Sequence, residues 1–250
     1  MARLNRKIVG GTTFACYSER GIVAYFMLRV LPHDPLDFLR QIENGAGDRP
    51  FAFLQPGAIG SLTIFSELVF GSTHGFGNPD SALYFTVDGQ PRLVFYEAKL
   101  NEKYLKSCEG KAYNSTIQGQ LELKWRLLAL VQQGAVQTIK NKKYVVETQA
   151  FASEYPKDKF YSPSAKKKSG YAAYRHLRFH GGVETILTNY IPATAEQVYF
   201  LTSTNDDKNP FVGTSIPDDK RPHCVGKSWD QVKGQFCWIS NTVIENCPAL

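Results

Sequence analysis

Apolar and polar positions fall into distinct blocks along the chain. Residues 17–31 are mostly apolar and predict a helix that ends before "PHDP". Asp34 is placed to cap a short helix through "PLDFLRQI", and "ENGAGDRP" reads as a loop. The run "PGAIGSLTIFSELVFG" (56–71) is apolar almost throughout and predicts a mostly buried helix, although its β-branched residues leave a strand open. A glycine-rich loop (71–79) leads into two strand-like runs, about 82–88 and 92–98, joined by "DGQP". Farther on, Ser115 and Gln118 form a capping-box pattern. Ile117, Leu121, Trp125 and Leu128 then recur at helical spacing until Gly134 ends the helix. A strand at 144–149, a helix around 171–190 and a strand at 196–203 complete the pattern. Helix, strand, strand, helix, strand points to an α/β (α+β) core, and no linker divides the chain, so residues 1–250 read as one domain.

The two strands at 82–98 carry the chemistry. With Gly89–Gln90 as a two-residue turn, paired positions bring Ala82 opposite Glu97 and Asp80 opposite Lys99. Opposed residues share a face, as do residues two apart. Asp80, Glu97 and Lys99 therefore converge at one end of an otherwise apolar ribbon. Two carboxylates one strand apart repel unless a cation lies between them, and their oxygens suit Mg2+ or Mn2+. The backbone carbonyl of Ala98 is a further candidate ligand. A lysine beside such a pair can position water or stabilise charge growing on a phosphate. The plainer alternatives are a turn-initiating Asp80 and an exposed Glu97–Lys99 pair of little energetic weight.

Charge then narrows the substrate. The chain has 250 residues and a net charge of +6. Between Lys124 and His180 there are twelve Lys or Arg against three acids, so the remainder is slightly acidic. Lys124, Lys140, Lys142, Lys143, Lys166, Lys167 and Lys168 lie there, interleaved with Tyr and Phe. Cations that neutralise phosphates beside rings that stack on bases form a nucleic-acid footprint, and a solvated basic face is the alternative. No apolar run approaches the roughly 18 residues of a membrane span, so no membrane partner is expected. Five scattered cysteines without a CxxC pair suit reduced thiols, and the expected location is cytoplasmic. His223 with Cys224, Cys237 and Cys247 match no common metal spacing, and His176 and His180, four apart on an expected helix, have no evident third ligand. His74, in the glycine-rich loop, reads as a surface residue.

"PD" at 79–80 followed by "EAK" at 97–99 resembles the motif of the PD-(D/E)XK nuclease superfamily, over roughly residues 57–150. The resemblance implies a restriction-endonuclease-like core, a central mixed β-sheet flanked by helices, with an extended C-terminal part at 151–250. It implies a metal-dependent endonuclease hydrolysing phosphodiester bonds, DNA more than RNA, of a restriction or phage-defence type. Asp80 and Glu97 would hold Mg2+ (or Mn2+), and Lys99 would serve the attacking water. Many members place a glutamate on the helix before the motif, and Glu67 fits. Many place a glutamine or lysine on the following helix, which Gln118 or Gln120 would match. Only twelve residues separate Glu67 from Asp80, so either the first strand is very short or Glu67 is not the matching acid. A homodimer is expected if both strands are cut. The alternative is a nucleic-acid-binding module or interaction subunit that keeps the fold without cleavage.

Overall fold

The dipeptide Asp88–Gly89 organises the centre of the molecule. Both residues take positive φ, 50° and 76°. That is the signature of a type I′ turn, whose twist matches the strands it joins and which favours Asp-Gly. The computed structural model describes residues 7–9, 12–14, 21, 23–24, 26–32, 35–66, 79–99, 120, 124, 136–139, 142–146, 176–178, 189–190, 197–204, 208–212 and 236–240. The strands are β1 (Lys7–Val9), β2 (Thr12–Phe14), β3 (Glu43–Asn44), β4 (Ile59–Ser66), β5 (Ser81–Val87), β6 (Gln90–Lys99), β7 (Val136–Ile139), β8 (Lys142–Val146), β9 (His176–Arg178), β10 (Val198–Thr204) and β11 (Phe236–Ser240). A π-helical turn (Phe26–Val30) and a short α-helix (Pro35–Arg40) precede the meander.

Six strands form a mixed sheet in the order β3-β11-β10-β6-β5-β4. The β4–β5–β6 meander is antiparallel, whereas β10 runs parallel to both β6 and β11. The architecture is of the α/β class. Two of the six strands come from 198–240, beyond the 57–150 stretch that carries the motif resemblance. The strand expected at 144–149 is β8 over its described residues, and it pairs with β7 and β9 in a sheet separate from the meander's. β9 also replaces part of the helix expected around 171–190, with His176 on the strand and His180 outside the described residues.

The 56–71 run is a strand over 59–66, not a helix. An unbroken apolar run cannot be assigned from periodicity, and the β-branched Ile59, Thr63 and Ile64 favour extended backbone. Between the Ile59–Val87 and Leu62–Phe85 pairs, two residues of β4, Gly60 and Ser61, face one of β5, Thr86. This bulge brings Ile59 and Leu62 to the same face, where both pack on the core with Ile64. A Cβ on Gly60 would lie 2.4 Å from Thr86 Oγ1, so the bulge holds a residue without one.

β6 and β10 occupy the middle and are buried on both faces. One face carries Leu83, Phe85, Val94, Tyr96 and Leu201 against Phe26, Phe38, Phe51 and Leu54 from the segments preceding the meander. Phe51 packs its ring edge-on to Phe85 at 5.7 Å. Each such side chain contributes about 1.5–3 kcal/mol when fully buried. Arg40 ties the short helix to the following loop by donating to the Leu54 carbonyl. The opposite face of β6 carries Leu93, Phe95 and Glu97, also buried. Among the described residues, no helix is long and apolar enough to cross a membrane.

Candidate active site

Register decides what meets at the end of the ribbon. Because the turn is Asp88–Gly89, Val87 pairs with Gln90 and Ser81 with Tyr96. One step beyond Ser81–Tyr96, Asp80 stands opposite Glu97, not Lys99 as the Gly89–Gln90 turn predicted. The displacement is two residues, an even number, so every side chain keeps its expected face. Asp80, Glu97 and Lys99 are indeed brought together.

The site lies at the carboxyl ends of β6 and β10, where Glu97 pairs with Thr202 and Lys99 with Thr204. Crevices at the carboxyl ends of parallel strands are the usual ligand sites of such sheets. Asp80 follows the buried Pro79, and its Oδ2 accepts the Ala98 N–H at 2.8 Å. Ala98 thus orients Asp80 through its N–H, in addition to any role for the carbonyl proposed from the sequence. Thr202 Oγ1 donates to the Glu97 carbonyl at 3.0 Å, pinning β6 against β10 at the acid.

Glu97 is only 2% exposed. Its Oε1 lies 3.0 Å from Lys99 Nζ and its Oε2 3.6 Å from Lys124 Nζ. Oε2 is buried and accepts no hydrogen bond. Burial, then the Glu97 charge, push Asp80 up from 3.8 to about 6, against the pull of the Ala98 N–H and of Lys99 and Lys124. Burial lowers Lys124, and the two carboxylates oppose that shift. On the other face of β6, the Tyr96 hydroxyl shares a 2.7 Å hydrogen bond with Ser203 Oγ, and burial raises its phenol.

Lys124 corrects the sequence reading. It was expected on a surface that tracks nucleic acid, but it is fully buried beside Glu97. A buried ammonium cannot neutralise a solvent-borne phosphate. Its Nζ donates to Gln120 Oε1 at 2.8 Å and to the Gln120 carbonyl at 3.1 Å. Gln120 therefore reaches the acids through Lys124. The i, i+4 spacing of Gln120 and Lys124 on the expected helix was the available signal, since it places both on one face. Thr202 left no such signal, because its strand partner is set by the sheet.

Glu67, Gln118, His74, Lys140, Lys166, Lys167 and Lys168 lie outside the described residues, as do His223, Cys224 and Cys247. Since 59–66 is a strand, the chain reaches Glu67 from the meander's first strand and not from a preceding helix. Lys142 and Lys143 lie on β8, with only their backbone described. Among the described residues no group of three or more His, Cys, Asp or Glu converges. The donors at hand are the two carboxylates and main-chain oxygens. No family model matches the chain, and no curated protein or solved structure matches it.

Proposed function

We propose that this chain is a metal-dependent nuclease of restriction-endonuclease-like design, hydrolysing phosphodiester bonds of nucleic acid. The observation that carries the reading is the packing of Asp80, Glu97, Lys99 and Lys124 into one largely buried cluster at a sheet's carboxyl edge. Desolvating such groups costs several kcal/mol per ion, roughly, and apolar replacements of equal volume would serve stability as well or better. Clusters of this kind with a displaced carboxylate pKa concentrate at functional sites.

The residues fit a hard divalent cation. Two carboxylates that raise each other's energy, one with a buried oxygen accepting no hydrogen bond, suit Mg2+ (or Mn2+). Mg2+ commonly takes one or two carboxylates and completes its shell with water and phosphate oxygens. Asp80 and Glu97 would hold it, and when bound it supplies Lewis-acid polarisation of the phosphoryl group and an activated water. The chain's own residues do the rest. The Ala98 N–H orients Asp80, and Thr202 holds the backbone at Glu97. Lys99, 13% exposed in its side chain, would meet an incoming phosphate oxygen. Lys124, at 0%, stays within and holds Glu97.

A second reading has its own observation. Both Glu97 oxygens face an ammonium, which balances the charge without a metal, as in a binding module that retains the fold without cleavage. Plasmid and single-stranded DNA incubated with Mg2+ or with EDTA separate the two. Cleavage that needs Mg2+ and disappears in Lys99→Ala is the expected result. Intact substrate under all conditions, or an equally active variant, refutes the nuclease.

A further inference from the structure

The face that carries Glu97 differs between its two halves. Over β6 and β10 it is closed: Leu93, Phe95, Phe200 and Thr202 are buried. Over β4 and β5 it is half-open, and aromatic rings occupy it. Tyr84 alternates with the core residues Leu83 and Phe85, so it points to the face of Asp80 and Glu97. Thr63 pairs with Tyr84, and Phe65 with Ala82, which puts Phe65 on the same side. Tyr190 lies across both rings, 4.7 Å from Tyr84 and 5.1 Å from Phe65, with interplanar angles of 69° and 70°. All three rings are only partly buried. In each near-perpendicular contact one ring meets the other edge to face, and the accessible remainder of the three rings is the surface they present.

Resting on the nuclease reading, we infer that Phe65, Tyr84 and Tyr190 form a stacking platform for unpaired bases, which makes single-stranded nucleic acid the preferred ligand of the site. Asp80 stands just before β5 and four residues from Tyr84, about 13 Å along extended chain. A single nucleotide chain can thus lay a phosphate at Lys99 and a base on the rings. Paired bases inside a duplex expose edges and not faces, so this surface offers them nothing to stack on. The net charge of +6, with the excess of cations just upstream of Tyr190, suits a polyanion and not an apolar peptide. Stacking carries little sequence preference, since every base has a π-face.

Binding in EDTA isolates this step from cleavage. The probe is a fluorescent single-stranded oligonucleotide, set against the same sequence as duplex, in fluorescence anisotropy. The single strand should bind more tightly. Tyr84→Leu and Tyr190→Leu should each weaken it about tenfold or more while leaving duplex binding unchanged, and Tyr84→Phe should retain it. Equal affinity for both forms, or indifference to both leucine variants, overturns the inference. Should a leucine variant not fold, photocrosslinking of a 5-iodouracil oligonucleotide to the wild type decides. Adducts on Tyr84 or Tyr190 support the platform, and adducts confined to other peptides overturn it. Tight single-strand binding without Mg2+-dependent cleavage would sink the nuclease and leave the platform standing.

Discussion

Replacing Asp80 by Asn should make the metal-free protein more stable at neutral pH, although it removes a proposed metal ligand. Burial and the Glu97 charge raise Asp80 from 3.8 in the open chain to about 6 in the fold. Between those values the folded state holds a proton that the unfolded state has released. Stability therefore falls as pH rises through this window, and the whole cost is present above about 6. A displacement of that size corresponds to about 3 kcal/mol. Asparagine carries no charge to desolvate, and its carbonyl oxygen can still accept the Ala98 N–H. Urea unfolding in EDTA at about pH 8 should show Asp80→Asn ahead by about 3 kcal/mol, with the advantage fading towards about pH 4. Added Mg2+ should stabilise the wild type and leave the variant unmoved. A variant less stable than the wild type at about pH 8, or a gain independent of pH, would refute the account of Asp80.

Three further expectations follow from the same geometry. Lys124→Ala, which strips Glu97 Oε2 of its ammonium neighbour, should cost about 3–5 kcal/mol in chemical denaturation. Glu97→Gln combined with Lys124→Ala should recover part of that loss, and strictly additive effects in the double-mutant cycle would deny the coupling. Gly89→Val, at a φ of 76°, should destabilise the hairpin by roughly 1–2 kcal/mol, read as a lower thermal midpoint.

Local chemistry was legible where one segment contains its own answer. Asp-Gly between two apolar runs specifies a hairpin, and strands expected at 82–88 and 92–98 are β5 and β6 at 81–87 and 90–99. The short helix after "PHDP" and the strand near 196–203 were equally plain. Asp80, Glu97 and Lys99 could be grouped from parity alone, because strand geometry has a period of two and the register error was even.

Tertiary structure decided the rest, because the forces that settle it act between residues far apart in the chain. The run at 59–66 became a strand because β5 offered an edge to pair with and a core for Ile59, Leu62 and Ile64. The strand beside β6 comes from residue 198 onward, a choice made by which apolar segment fills the sheet's middle. Lys124 shows the limit most directly. Its sequence neighbours place it among surface cations, yet a buried carboxylate on β6 draws it inside, where only its proximity to Glu97 and Gln120 makes its burial tolerable. Periodicity along a chain reports which face a side chain takes, but the partner that awaits it there belongs to another segment.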